Sequence, residues 1–398
     1  MLSMNKRESD KKDDPSIRAR YEAFGGIVSL KEPPSLVFLD KPYMKELGYE
    51  GAEVWNEKYK HLSAPTEVHF NLTNYCPLNC RHCTSGGGSS KDFDMTTEKI
   101  KEAIDILADM KVFHIAFGGG ELFSRQDAIE IAEYAYAKGI IPNATTNGYY
   151  MTKEIAEKCR IFGQVNISMD GIGDQYGVVR GVNIFERAHH AVQHLLEAGV
   201  NTGINCVLTR ANFDRLEEVL AYAHKMKLCQ VLFLRLKPSG RAKDIYEEYK
   251  LTQEQSKAFY KILMKMSKKY KTDILVDCSF IPHICYHKPS QKIMSKFGVE
   301  GCDGGNILLG VRHDGGINAC SHYEEYISSI FELRDLWKHH QHFQMFRERN
   351  VSDAACLNCK YFKLCRGGCP LFSLHLEGDF HVPDPECPIL VEKKSRNA

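Results

Sequence analysis

The stretch NYCPLNCRHC, Asn74–Cys83, places Cys76, Cys80 and Cys83 with three and then two residues between them. Thiols this closely spaced bind metal or form disulfides, and thiolates suit zinc or iron–sulfur clusters. A structural zinc site closes with four ligands, and no fourth cysteine lies nearby. A cubane cluster held by three thiolates keeps one iron open for something else. Seven further cysteines crowd the C-terminal quarter: Cys302, Cys320, Cys356, Cys359, Cys365, Cys369 and Cys387.

The whole chain favours metal over disulfides. At 398 residues it can bury a sizeable core and fill two or more domains. A formal net charge of +1 gives no broad basic footprint, so neither nucleic acid nor an anionic membrane is expected as a partner. No apolar run approaches a membrane span, and MLSMNKRESDKKDD holds no signal-peptide core. A cytoplasmic location follows as the expectation, and thiols stay reduced there. Fifteen cysteines are then better explained by metal. Cys159, Cys206 and Cys229 sit in apolar-patterned segments and read as buried, inert thiols.

The elements that must position these residues alternate regularly. The first twenty or so residues read as a charged tail, and GGIVSLKEPPSLVFLD reads as two short strands around Pro33 and Pro34. From Thr66 the strands EVHFNLT, VFHIAFG, IIPNATT, VNISMD, NTGINCVLT and QVLFLRLK follow, with amphipathic helices between them. TTEKI opens the first of these helices like a capping box. Six strand–helix units imply an α/β fold with a parallel sheet, an open partial (β/α)6 barrel two units short of closure. Past about residue 275 the alternation gives way to Gly-rich turns and clustered cysteines. The expected division is an N-terminal extension over 1–65, a barrel over 66–275, and a metal-organised region over 276–398. In such a barrel the cysteine loop, GGGE, TTNG and SMDG all leave the C-terminal ends of successive strands, on one rim.

The Cys-x3-Cys-x2-Cys spacing resembles the signature of the radical SAM superfamily. There the open iron chelates S-adenosylmethionine, and electron transfer cleaves it to methionine and a hydrogen-abstracting 5'-deoxyadenosyl radical. The resemblance implies cofactor contacts at Gly119, Gly120 and Glu121 in GGGE, holding the methionine amino group. It further implies Ser168 near the ribose and methionine end, Arg180 on the carboxylate, His82 near the adenine, and Asn147 in TTNG. Each taken alone has an ordinary reading as a turn, a solvated charge or a structural histidine; their common placement on one rim favours the cofactor.

The C-terminal spacing Cys356-x2-Cys359-x5-Cys365-x3-Cys369, with Cys302, Cys320 and Cys387, resembles the seven-cysteine SPASM domain. The bland alternative is a ribbon-like zinc site built from Cys356, Cys359, Cys365 and Cys369. The resemblance implies three [4Fe–4S] clusters: Cys76, Cys80 and Cys83 on the cofactor-binding one, Cys302, Cys320 and Cys369 on a first auxiliary, and Cys356, Cys359, Cys365 and Cys387 on a second. The first auxiliary is then one ligand short. Cys278 or Cys285 folds back, or the corner stays open; His283, His287, His313 and His322 are other donors.

LRLKPSGRAKDIY and CRGGC…PDPEC resemble the maturases of ribosomally made peptides, the mycofactocin type among them. The resemblance implies a precursor-peptide substrate, modified at tyrosine by oxidative decarboxylation or tyramine excision, or by crosslinking. It also implies a flavodoxin or ferredoxin reductant. With only about sixty-five residues before the barrel, a separate winged-helix leader-binding protein is expected as partner, with the hairpin near Ile27–Leu39 as its docking edge. CSFIPHICYHKPSQKIMSKFGVEGC departs from the mycofactocin type and is expected to line the substrate region. Two alternatives stand beside this: oxidation of a protein side chain, as sulfatase activators do, and a non-enzymatic iron–sulfur electron carrier.

Overall fold

The computed structural model describes residues 17–31, 34–296 and 298–397. The charged tail over 1–16 and Pro33 of the Pro-Pro turn lie outside the described residues. Strands β1 (Ile17–Glu22), β2 (Gly25–Lys31) and β3 (Pro34–Asp40) form an antiparallel sheet in that order. The sequence suggested two strands here and a tail reaching residue 20. The strand starts at Ile17 instead, because the arginines that read as solvated are consumed inside. Arg18 Nη1 donates to Val112 O at 2.8 Å, and Arg20 donates to Pro65 O and Ala64 O, each at 2.8 Å. Arg20 also pairs with buried Glu22 at 2.7 Å. Buried charges are tolerated when every donor is matched in this way.

The main sheet contains all six strands expected from the alternation: β4 (Glu67–Thr73), β5 (His114–Gly119), β6 (Ile141–Thr146), β7 (Gln164–Ser168), β8 (Thr202–Leu208) and β9 (Gln230–Arg235). It goes further than that. β10 (Asp273–Val276) extends one edge, and β11 (Leu308–Val311), β12 (Gly316–Asn318) and β13 (Ser328–Ser329) extend the other. The order is β10-β9-β8-β7-β6-β5-β4-β11-β12-β13. Strands β4 to β10 run parallel, and β11 runs parallel to β4 with Leu308 opposite Glu67. Among the described residues no pairing joins β10 to β13, so the barrel stays open. The region after 276 is therefore built onto the barrel sheet through β11.

The strands alternate with period two. Val68, Phe70 and Leu72 of β4 and Val165 and Ile167 of β7 are buried against the helices. Each such side chain contributes roughly 1.5–3 kcal/mol on burial. Their neighbours Glu67, His69, Asn71, Gln164, Asn166 and Ser168 line the opposite, concave face. Helix Thr97–Asp109 packs Ile100, Ala103, Ile104 and Leu107 inward. Its cap is half of the expected box: Thr96 Oγ1 accepts from Lys99 N at 3.3 Å, but a lysine at that position has nothing to return. The complete box belongs to helix Gln253–Lys269, between Thr252 and Gln255.

Arg235, at the end of β9, locks the C-terminal region to the barrel. Its Nη1 meets Asp384 at 2.6 Å and donates to Ser279 O at 3.0 Å; Nη2 meets Glu386 at 2.9 Å. Its guanidinium lies 3.5 Å from the centre of the Phe372 ring. The acids come from PDPEC, the segment that ends in Cys387.

Candidate active site

The concave face encloses a cavity of about 630 Å3, within the usual range for a small-molecule site. Its upper wall is the loop after β4, where Cys76, Cys80 and Cys83 all face the cavity. The loop is held from two sides. On one side GGGE is zipped to it: Gly120 N donates to Thr73 O at 2.8 Å and Glu121 N to Tyr75 O at 2.7 Å. A Cβ at Gly120 would stand 2.1 Å from Tyr75 O, so only glycine permits this approach. The backbone of Gly118–Gly120 lines the cavity. Glu121 lies behind that wall, fully buried. Its carboxylate accepts from Thr146 Oγ1 at 2.5 Å, Asn147 N at 2.7 Å and Phe123 N at 3.2 Å. Burial pushes its pKa up, against those hydrogen bonds. Asn147 is thereby aimed at the loop, with Nδ2 at 3.6 Å from Cys76 Sγ.

On the other side stands KPSGRA. Arg241 Nε donates to Cys80 O at 2.9 Å, Nη1 to Gly87 O at 2.6 Å, and its backbone N to Cys83 O at 2.9 Å. Gly240 has φ of +54°, and a Cβ there would stand 2.5 Å from Thr84 O. Four residues before Arg241, buried Lys237 pairs with Asp277 at 2.5 Å, beside Cys278. One short segment thus touches both regions that the sequence marked as metal sites.

Arg180, Ser168 and His82 all line the cavity. Buried Asp170 stands behind two of them, 2.8 Å from Arg180 Nε and 3.1 Å from His82 Nε2. The Arg180 contact is an ion pair without hydrogen-bond alignment, and His82 Nδ1 is buried without a protein partner. Burial would raise the Asp170 carboxyl, but the Arg180 and His82 charges outweigh it and hold the pKa at about 2. Arg180 reaches Cys80 Sγ with Nη1 at 3.7 Å. Asp170 orients the guanidinium, leaving its other edge to the cavity. The sequence offered Asp170 inside SMDG but gave it no role.

Further down, the wall is rich in amides. Gln164 Nε2 donates to Asn166 Oδ1 at 2.6 Å, Asn166 Nδ2 to Asn205 Oδ1 at 2.9 Å, and Asn205 Nδ2 to Thr145 Oγ1 at 3.2 Å. His69 shares a 3.1 Å hydrogen bond with Ser321 Oγ, and its Nε2 is 3.3 Å from Glu67. Ser321 and His322 follow Cys320 and line the cavity, so it runs from the first cysteine loop to the residues beside Cys320.

Those cysteines form two groups. Cys302, Cys320 and Cys369 influence one another electrostatically, and Cys278 joins them. Burial, then Cys302, Asp277 and Cys369, push the Cys278 thiol up. Its side chain is accessible by area yet surrounded by protein, so it faces a recess and not the outer surface. The second group lines a small apolar cavity and holds Cys356, Cys359, Cys365 and Cys387, with Cys285 as a fifth thiol. Burial first, then neighbouring thiols or acids, raises Cys356 and Cys387 to about 12. Of the two cysteines that the sequence left open, Cys278 stands with the first group and Cys285 with the second. His322 lines the barrel cavity, and His283 is buried beside Phe280. Among the described residues no three Cys, His, Asp or Glu side chains converge on a point suited to a single ion. The three-thiol loop and the second group are thiols around voids, which fits polynuclear clusters better than one zinc. Cys159 and Cys206 are fully buried in the core, as apolar patterning suggested, whereas Cys229 is only half-buried.

An open parallel barrel with a three-thiol loop on its rim defines the class. The radical SAM superfamily model matches residues 70–223. Over 336 residues the chain is 31% identical to the mycofactocin maturase of Mycolicibacterium smegmatis, covering 82% of this chain and 83% of that protein. It is 27% identical over 349 residues to an AdoMet-dependent heme synthase of Methanosarcina barkeri, covering 82% and 97%. In structure it resembles SuiB of Streptococcus suis, solved with its precursor peptide SuiA, with a TM-score of 0.76 at 17% identity over 94% of this chain and 99% of that one. The chain belongs to the radical SAM superfamily and is an enzyme of S-adenosylmethionine and a [4Fe–4S] cluster. No helix among the described residues is long and apolar enough to cross a membrane.

Proposed function

We propose that this enzyme is a SPASM-type maturase that modifies a ribosomally made precursor peptide. The observation that carries the reading is the amide-lined cavity that runs from the three-thiol loop to Ser321 and His322, the two residues after Cys320. Asn143, Asn166, Asn205, Gln164 and Gln230 offer donors and acceptors in the pattern of a peptide backbone. A flat macrocycle such as the heme synthase's product would call for an apolar slot instead. The reductive cleavage of bound S-adenosylmethionine supplies a 5'-deoxyadenosyl radical that removes hydrogen from the substrate.

The chain's own residues hold these groups. Cys76, Cys80 and Cys83 ligate the cofactor-binding cluster. The Gly119–Gly120 edge, Ser168, Arg180, His82 and Asn147 surround the cofactor, and Glu121 and Asp170 fix them from behind. Cys278 completes Cys302, Cys320 and Cys369 as a closed first auxiliary site, beside the Lys237 ammonium. Cys356, Cys359, Cys365 and Cys387 hold the second. A closed auxiliary site takes electrons without binding substrate, which suits an oxidation in which a substrate radical must lose one more electron. Three clusters correspond to about twelve irons per chain. The tyrosine position, the separate leader-binding protein and the flavodoxin or ferredoxin reductant belong to the same reading. The three-stranded sheet β1–β3, with Val37 and Phe38 exposed, supports a docking role for β3.

The test is mass spectrometry of a genomically neighbouring precursor peptide after anaerobic incubation with enzyme, cofactor and reductant. Loss of carbon dioxide with two hydrogens marks oxidative decarboxylation, and loss of two hydrogens marks a crosslink. An unchanged peptide beside a modified protein side chain would replace this reading with the sulfatase-activator type.

A further inference from the structure

The chain as a whole is nearly neutral, with 52 basic and 51 acidic side chains, yet its charge is unevenly spread. Residues 257–271 carry six lysines and no acid, 288–296 carry three and no acid, and 360–363 carry two and no acid. All three segments converge on the second thiol group. Tyr260 of helix Gln253–Lys269, Met294 of helix Gln291–Lys296 and Tyr361 pack in one apolar cluster, with Cys359 and Cys365 against it. Tyr361 Oη donates to Pro289 O at 2.9 Å, tying the second segment to the third.

The lysines are turned outward. Lys261, Lys265, Lys288, Lys292, Lys360 and Lys363 are exposed and make no ion pair among the described residues, whereas Lys257 and Lys269 are paired with Glu392 and Glu217. Two large apolar side chains stand among them: Ile293, beside Lys292, is 59% exposed, and Leu357, beside Cys356, is 44% exposed. The loop that carries Cys356 and Cys359 is itself part of this surface, since Leu357, Asn358 and Lys360 are all exposed.

We propose that this lysine collar docks an acidic one-electron carrier protein of the flavodoxin or ferredoxin class, which exchanges electrons at the second thiol group. This rests on the assignment of Cys356, Cys359, Cys365 and Cys387 as cluster ligands. Uncompensated cations steer an acidic partner in and hold a basic one off. Electron-transfer encounters need only a small interface, and an apolar centre with a charged rim suits one. A substrate peptide is the poorer occupant, because it must reach the barrel cavity, which shares no lining residue with the second thiol cavity. The exchange moves one electron and no atom: what the site gives up the carrier takes, and no further reagent is needed.

The experiment uses the anaerobically reconstituted full chain with two probes, a flavodoxin and a ferredoxin. Zero-length carbodiimide crosslinking joins lysines to carboxylates, and mass spectrometry of the wild-type adducts locates the face. Crosslinks should map to 257–296 and 360–363 with at least one probe. Lys292→Glu with Lys360→Glu should weaken that probe's binding about tenfold or more at low salt, and the gap should shrink as salt screens it. Lys58→Glu with Lys158→Glu, a matched change at exposed lysines elsewhere, should leave binding at the wild-type value. Crosslinks confined to other surfaces, equal weakening in both pairs, or no measurable binding of either probe would overturn the proposal. So would capture of the precursor peptide at the collar in place of the carriers. Replacing Cys356 and Cys359 with alanine should remove about four irons. Wild-type iron there would instead reject the underlying ligand assignment, and the proposal with it.

Discussion

Replacing Asp170 with Asn removes one negative charge and almost no volume. The amide oxygen can still accept the 2.7 Å hydrogen bond from Val207 N, so what disappears is the charge facing Arg180 and His82. That charge is held at a pKa of about 2 against an ordinary 3.8. A fall of nearly two units corresponds to about 2.5 kcal/mol at 1.36 kcal/mol per unit. Breaking a buried pair from one side typically costs about 3–5 kcal/mol, because the remaining charge is left uncompensated. A destabilisation of about 2.5–5 kcal/mol is expected, read as a lower urea midpoint for the full chain at neutral pH. The sign with pH follows from linkage. A depressed carboxyl stabilises the fold above its unfolded pKa, and that contribution is lost as pH falls through the folded value. Wild type and variant should therefore converge between about pH 4 and pH 2. Equal midpoints at neutral pH, or a gap that survives undiminished below that window, would refute the role assigned to Asp170.

Gly240→Ala, forced against Thr84 O at 2.5 Å with a positive φ, should displace the cysteine loop. Iron analysis should show loss of about four irons with circular dichroism unchanged. Arg235→Met leaves Asp384 and Glu386 facing no guanidinium and should cost about 3–5 kcal/mol. Limited proteolysis should then release fragments cut beyond residue 276 faster than in wild type. Replacing Cys76, Cys80 and Cys83 together with alanine should remove about four of the irons and leave the rest, visible as retained absorbance of the auxiliary clusters.

The six central strands were legible because each alternates apolar and polar residues over five to seven positions, a pattern that survives without tertiary information. β11, β12 and β13 were not, since strands of two to four residues carry too little periodicity, and β11 pairs with a strand more than two hundred residues away. Arg18 and Arg20 misled for a related reason: composition counts them as solvated, and only the fold reveals the carbonyls that receive them. In the site, cysteine spacing located the thiol groups well. It could not choose between Cys278 and Cys285, because sequence distance to Cys302 says nothing about which recess each helix faces. Asp170 and Arg241 act through other residues, and a charge that works at one remove leaves no spacing signature. KPSGRA held the usable signal: a glycine before an arginine at a strand's end marks a close backbone approach.

The pairing of β11 with β4 has a consequence for how this enzyme can diversify. The strand that launches the first cysteine loop is hydrogen-bonded, register by register, to the strand that leads toward Cys320. A slip of one residue would turn every side chain of β11 to the wrong face, so the two metal regions are separated by a fixed number of rungs. The separation behaves as a ruler and not as a hinge. The amides on the concave face carry no such duty; they can be exchanged one at a time without moving either end. Chemistry at the two ends and choice of substrate between them are thus written in different residues, and selection can revise the second while the first stays in gauge.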